Sequence, residues 1–387
     1  MFWKGLWFQL QSFLVLIPGI GQQVPTPLMG ELHQGIDECS GIVQLPSGEF
    51  AVINDSGNPP CVFFFDSAGT LTAMDCPVFL ENKDWEDLAF ADSILYIGDF
   101  GNNQNRRRDL RIYRVKINDD MELDDLGSIE FSYGDQKSFP PSETDWNYDV
   151  EAMVHYNDSL YLFTKNRTSP YSGYVYLYRL PASPGEYVAY PIDSLQLGSI
   201  GKEQHWVTGA ALNSMGDILV LLGYDQMWLC YDFPPGDFFG GAVRSLQFDA
   251  LSQKEAVCFT GDSTLVIADE RHPLLKGGRL YRVALLSKYF RRKPEQRPVK
   301  LLSSTEFQQS IELVVAGHVK LPILWEMYST SGERVAFGKV DTPPEKEKDH
   351  LLSIDTGEIP PGGYVLSIII DQRPYPFKLK KLLISEE

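Results

Sequence analysis

Five oxygen-bearing residues recur along this chain, each directly ahead of a short run of small and apolar side chains. They are Ser40 (Glu38-Cys39-Ser40-Gly41-Ile42), Glu86 (Trp85-Glu86-Asp87-Leu88), Glu151 (Val150-Glu151-Ala152-Met153), Thr208 (Val207-Thr208-Gly209-Ala210) and Glu255 (Lys254-Glu255-Ala256-Val257). Their spacings are 46, 65, 57 and 47 residues, the length of a β-propeller blade. In a propeller the first strand of each blade lines the central channel, so equivalent positions share one depth. The repeat therefore predicts a ring of five oxygen ligands about one axis. Three glutamates facing a narrow channel must be protonated, salt-bridged or bound to a cation. No Lys or Arg stands at the matching position of any unit. An all-oxygen set suits Ca²⁺, which takes about 6–8 oxygens, whereas zinc calls for His or Cys. The plainer alternative is that each glutamate caps backbone amides of a neighbouring blade.

A second set of polar residues closes the following apolar runs. The clusters are Asn54-Asp55-Ser56-Gly57, Gly98-Asp99-Phe100-Gly101, Thr164-Lys165-Asn166-Arg167, Gly223-Tyr224-Asp225 and Ala268-Asp269-Glu270-Arg271-His272. A hairpin runs out and back, so these ends return to the face where the first strands begin. That face is expected to gather Asp55, Asp99, Lys165, Arg167, Asp225, Glu270 and Arg271. Mixed charges beside a cation suit a small anionic, phosphorylated ligand. Turn chemistry alone would also supply Asp, Asn and Gly there. The six histidines form no paired metal motif, and no nucleophile elbow or phosphate-binding glycine loop occurs.

The elements that would hold these residues are strands. The second unit reads as strands over 86–90, 94–98, 110–116 and 128–132. The third reads over 151–156, 159–164, 173–180 and 187–192, and the fourth over 207–212, 217–222, 226–231 and 242–248. The fifth (255–259, 263–268, 278–283) lacks its own fourth strand, and the segment around 30–35 is expected to complete it and close the ring. The fold class is all-β: a five-bladed propeller over 22–287, six-bladed if a long second or third unit hides another sheet. A linker over 288–304 and a small β-sandwich over 305–387 follow. Composition agrees, with 22 Phe, 19 Tyr, 32 Gly and 25 Pro in 387 residues suiting short strands and tight turns. A net charge of −18 argues against a nucleic-acid partner.

Residues 1–21 read as a signal peptide. Lys4 precedes an apolar stretch over 13–20, too short to span a bilayer, and Gly19-Ile20-Gly21 offers a cleavage site. No later segment reads as a transmembrane span. Export makes disulfides available. A two-residue turn at Ala68-Gly69 sets Cys61 opposite Cys76 on a hairpin, which predicts that bridge. Cys39 and Cys258 read as buried thiols, or as a staple between the first and last units.

Three motifs in the last 80 or so residues stand in order: Met327-Tyr328-Ser329-Thr330-Ser331-Gly332-Glu333-Arg334-Val335, Ile359-Pro360-Pro361-Gly362-Gly363-Tyr364-Val365-Leu366 and Phe377-Lys378-Leu379-Lys380-Lys381-Leu382. This tail resembles the C-terminal sorting domain of the type IX secretion system of Bacteroidetes. The resemblance implies secretion or display at the outer-membrane surface, with the type IX machinery as partner. The channel series Ser, Glu, Glu, Thr, Glu resembles that of calcium-activated apyrase-type nucleotidases, five-bladed propellers with calcium in the channel. There Asp55 stands near that family's Asp-Asp-Arg-Thr-Gly loop, although this chain lacks the Arg-Thr, and Lys165-Asn166-Arg167 stands near its basic loop. The frame Asp84-Trp85-Glu86-Asp87-Leu88-Ala89 with Tyr96-Ile97-Gly98-Asp99-Phe100-Gly101-Asn102-Asn103 is similar to secreted bacterial propellers distantly akin to phytase-like esterases. Together these imply a secreted calcium-binding propeller that holds an anionic ligand, with hydrolysis of phosphate esters or nucleotides as its candidate activity. The alternative is a non-enzymatic surface or extracellular binding module with a structural calcium.

Overall fold

The strand Ile218–Leu222 is apolar at every position, and its packing explains why. Leu219 and Leu221 enter one core with Ala152, Val154, Phe163 and Val175. Ile218, Val220 and Leu222 enter another with Val257, Leu265 and Ile267. A strand whose two faces are both covered reads as an unbroken hydrophobic run, since alternate side chains serve opposite neighbours. The structure, a computed structural model, describes residues 22–198, 202–271, 277–290, 299–302, 306–315, 322–330, 333–340, 350–370 and 373–382. The expected signal peptide, residues 1–21, lies outside these.

The chain divides into two compact units, Met1–Phe290 and Arg291–Glu387. The described residues of the first form five antiparallel-cored sheets, each a blade of a β-propeller. The innermost strands are Cys39–Gln44, Trp85–Ala91, Val150–Tyr156, Gly209–Leu212 and Lys254–Gly261, and each contacts the next in a closed cycle. Five separate cores lie between consecutive blades, the last joining blade 5 (Ala256, Cys258, Val266) to blade 1 (Cys39, Ile42, Val52). The ring is thus held by sheet-face burial all the way round.

Closure works as the sequence suggested. Leu28–Glu31 pairs antiparallel with Arg279–Ala284 and supplies the outer strand of blade 5. Upstream, Gln23–Val24 adds in parallel to the edge strand Ala242–Phe248 of blade 4. The Cys61–Cys76 disulfide is present, with Cα atoms 4.1 Å apart, and Cys39, Cys230 and Cys258 are buried thiols.

Two readings differ from the structure. The strand expected over 187–192 is split at Tyr190. Gly185–Ala189 pairs in parallel with Leu123–Tyr133 of blade 2, and only Pro191–Gln196 returns to edge blade 3. Pro191 lacks an amide donor and therefore sits at that outer edge. The stretch read as the start of a linker belongs to the propeller core, because Tyr289 is fully buried beside Tyr231 and Leu285. Residues 299–301 are already a strand of the second unit.

That second unit is a sandwich of two sheets, one of Val299–Leu301, Ser310–Val315 and His350–Asp355, the other of Glu306–Phe307, Arg373–Lys381, Gly362–Ile370, Ile323–Ser329 and Arg334–Val340. Its core is Ile311, Leu313, Met327, Leu366 and Ile368. Tyr364 donates its hydroxyl to the Pro360 carbonyl (2.6 Å) and braces the turn into its strand. Among the described residues no helix is long and apolar enough to cross a membrane.

One position beyond the ring residues stand Gly41, Asp87, Ala152, Gly209 and Ala256. A Cβ on Gly41 would lie 2.7 Å from the Leu88 amide nitrogen and 3.0 Å from Asp87 backbone atoms. Gly41→Val is therefore expected to cost about 1–3 kcal/mol, read as a lower urea midpoint. An unchanged midpoint would contradict this close approach of blades 1 and 2.

Candidate functional site

Four of the five inner strands begin with the same local irregularity. The ladder skips one residue between Cys39 and Gly41, between Trp85 and Asp87, between Val150 and Ala152, and between Lys254 and Ala256. The skipped residues are Ser40, Glu86, Glu151 and Glu255. Thr208 holds the same place in blade 4, its amide bonded to the Leu222 carbonyl. A bulge leaves its extra residue unpaired and re-aims the side chain. Here the five oxygen-bearing side chains stand at the start of the channel, and all are 6 % exposed or less. At that burial each carboxylate must find a donor, a proton or a cation.

Two further tiers surround them. Two residues upstream, at the strand period, stand Glu38, Asp84, Asp149, Trp206 and Gln253. At the end of each second strand stand Asp55, Gly101, Lys165, Gly223 and Glu270. Backbone bonds fix the tiers together: Asp55 N to Glu38 O (2.8 Å), Gly101 N to Asp84 O (3.1 Å), Lys165 N to Asp149 O (2.7 Å) and Glu270 N to Gln253 O (2.9 Å).

Charge is balanced unevenly around this mouth. On the blade 3 side, Glu151 accepts from Lys165 Nζ at 2.9 Å and from Arg167 Nη2 at 3.0 Å. Arg167 also bonds Asp149 through Nε and Asn103 through Nη2. Asp149 Oδ1 accepts the Asn102 amide (2.7 Å). The Trp206 ring lies 5.2 Å from Lys165 Nζ and 5.0 Å from Arg167 Cζ, favourable for both cations. Burial works against the Lys165 ammonium, yet Glu151, Tyr224 and Glu255 together outweigh it and hold the group well above its ordinary pKa. Lys165 and Arg167 are thus committed to internal carboxylates.

On the side of blades 1 and 2, among the described residues, no Lys or Arg forms an ion pair with Asp55, Asp84 or Glu86. Carboxylate oxygens of Asp55, Asp84 and Glu86 lie within 4.8 Å of one another, as do those of Glu86, Asp149 and Glu151. Glu86 faces the carboxylates of Glu151, Asp55, Asp84 and Asp149, and the Ser40 hydroxyl is buried without a partner. Gly101 makes the space: a Cβ there would fall 2.1 Å from Glu86 Oε1 and 2.6 Å from Asp84 Cγ. Burial and then Glu151, Asp55, Asp84 and Asp149 push the Glu86 carboxyl far up. Burial, with Asp55 and Asp149, raises Asp84 to about 7. Burial, with Glu255 and Asp55, raises Glu270 to about 9. Burial also raises Asp55 and Glu255, the latter against Lys165 and a bond from Tyr224.

The other expected site residues stand elsewhere. Thr208 Oγ1 donates to the Lys254 carbonyl (2.7 Å) and ties blade 4 to blade 5. Asp99 is buried, accepting Arg107 Nη2 (2.9 Å) and the Asp84 amide (3.1 Å), so it scaffolds the loop beneath Asp84. Asp225 neighbours His205 and Lys254 rather than the carboxylate cluster. Arg271 pairs with Asp37 (2.9 Å) and the Leu32 carbonyl (2.6 Å), fastening the N-terminal strand to blade 5. His272 lies outside the described residues.

The sequence reading missed Asp84 and Asp149, although Asp-x-Glu recurs in Asp84-Trp85-Glu86 and Asp149-Val150-Glu151. It also missed Asp87. This residue is 1 % exposed and spans the channel, accepting the Leu88 (2.8 Å) and Met153 (2.7 Å) amides and a bond from the Ala210 amide. Its signal was the lone charge in a column of glycine and alanine.

No family model matches the chain, and no curated protein does. Among solved structures, the PQQ-bound aldose sugar dehydrogenase of Streptomyces coelicolor is similar at TM-score 0.43 and 11 % identity, over 67 % of this chain and 97 % of that one. A functionally unknown protein of Desulfotomaculum acetoxidans is similar at 0.33 and 11 %, over 81 % and 74 % of the two chains. A Lactobacillus plantarum protein is similar at 0.32 and 13 %, over 81 % and 88 %. Identities this low speak to overall fold alone.

An acid whose folded pKa is raised holds its proton more tightly folded than unfolded. Its contribution is full below the unfolded value near 4 and is lost as pH rises through the folded value. In chelator, stability is expected to fall as pH climbs through about 7 and on to about 9, the values for Asp84 and Glu270. Urea midpoints across that window test this, and midpoints that climb with pH would contradict it.

Proposed function

We propose that this is a secreted β-propeller that binds Ca²⁺ at one channel mouth and, through it, a small anionic ligand. The observation that carries the reading is the buried Glu86 carboxylate, whose oxygens lie within 4.8 Å of those of Asp55 and Asp84 on one side and of Asp149 and Glu151 on the other. Asp55, Asp84 and Glu86 would hold the ion, with the orphaned Ser40 hydroxyl beside them and Glu151 and Asp149 completing the negative wall. All these donors are oxygens, no His or Cys joins them, and calcium accepts such a set with positions left for water or ligand. Because Lys165 and Arg167 are spent on Glu151 and Asp149, an anion gains little from them and has to be drawn by the metal. When bound, the ion would polarise a phosphoryl or carboxyl oxygen of the ligand; hydrolysis of phosphate esters is the activity this would permit.

A structural calcium is the second reading, favoured by the way Asp55 and Glu86 bridge blades 1 and 2. Screening phosphate esters and nucleotides with calcium and with chelator separates the two. Turnover that needs calcium supports the first; a calcium-dependent melting temperature without turnover supports the second. The tail over 305–387 is proposed as the type IX sorting signal, and its deletion should leave the protein in the periplasm. Normal export of the truncated chain would overturn that part alone.

Calcium is expected to raise the melting temperature of the wild type. Glu86→Gln and Asp84→Asn should each weaken calcium binding at least about tenfold, about 1.4 kcal/mol, in a calorimetric titration. Equal melting temperatures in calcium and in chelator would contradict the proposal.

A further inference from the structure

Outside the channel, blade 2 carries a second cavity of about 320 Å³ near the start of Leu110–Ile117 and the end of Leu123–Tyr133. Its volume is at the lower end of small-ligand sites. Arg107, Arg108, Phe131, Tyr133, Gln136 and Phe139 are among its lining residues, and no carboxylate lines it.

Two features of this lining call for a ligand. Tyr133 and Gln136 are 4 % and 5 % exposed, and the Tyr133 hydroxyl and Gln136 Oε1 are buried without any hydrogen-bond partner. The other end of the Gln136 amide is fixed, donating to the Asn105 carbonyl (2.9 Å), so its free oxygen is held in place. A buried polar atom without a partner is destabilising until something bonds it. The second feature is Arg108. Its guanidinium lies 3.8 Å above the Phe139 ring, and no carboxylate pairs with it among the described residues. Stacking on the ring leaves the donors at the guanidinium edge available. Arg107, by contrast, is spent on Asp99, Asp109 and the Gly101 carbonyl, and forms the wall towards Asp84.

We propose that this cavity binds an anionic monosaccharide. Hydroxyl groups would donate to Gln136 Oε1 and exchange bonds with the Tyr133 hydroxyl. The apolar face of the ring would cover Phe131 and Phe139, and the charge would meet Arg108. A cationic ligand is disfavoured by the paired arginines, and a purely apolar one would leave both orphans unpaired.

The Arg108 guanidinium suits a carboxylate and a phosphate alike, and the test separates them. The full chain is titrated calorimetrically in chelator, so that the calcium reading plays no part, with glucuronate, glucose 6-phosphate and glucose as probes. Saturable binding of glucuronate or of glucose 6-phosphate is expected, with glucose at least about tenfold weaker. Arg108→Ala, at an exposed position, should keep the melting temperature and lose at least about tenfold in affinity. Gln136→Leu should do the same for affinity whether or not its melting temperature moves. No saturation by about 10 mM, equal binding of glucose, or unchanged affinity in Arg108→Ala would each overturn the proposal.

Discussion

Carboxylates that share one desolvated mouth repel each other, and the architecture around the channel is arranged by how that repulsion is met. On one side Lys165 and Arg167 answer Glu151 and Asp149 directly. Between blades 1 and 2 Asp55, Asp84 and Glu86 converge within 4.8 Å of one another, and among the described residues no Lys or Arg forms an ion pair with them. Burying a carboxylate without a partner is among the costlier arrangements a core can contain. The propeller imposes it here because the bulge at the head of the inner strands of blades 1, 2, 3 and 5 turns the same position inward.

The scaffold can hold this unfavourable arrangement because its stability is generated elsewhere. Five apolar cores lie between consecutive blades. The N-terminal strand on blade 5 ties the ends of the ring together, and Asp87 gathers amides from three blades just below the acidic tier. Charge and packing are thus segregated along the channel axis.

Much of this was legible in the residues. The anchors Ser40, Glu86, Glu151, Thr208 and Glu255 mark the inner strands because a strand buried on both faces leaves few positions for polar atoms. Strands such as Ser159–Thr164, Gln226–Tyr231 and Ala242–Phe248 have the bounds their patterning implies. What stayed hidden depends on contacts between repeats. Lys165 and Arg167 read as ligand-binding because a spacing argument cannot see that Glu151 and Asp149 lie within reach. Asp84 was missed because a single-position alignment of the repeats ignores the residue two places upstream, which the strand period carries to the same side. The split at Tyr190 arises from pairing with a different blade, which no local pattern encodes.

The central claim is that a cation resolves the charge at Asp55, Asp84 and Glu86. Diffraction from crystals grown in calcium, recorded at a long wavelength where calcium scatters anomalously, tests it most directly. The account predicts an anomalous peak enclosed by those three carboxylates. Crystals with no such peak, and with Glu86 hydrogen-bonded as a neutral acid, would contradict it.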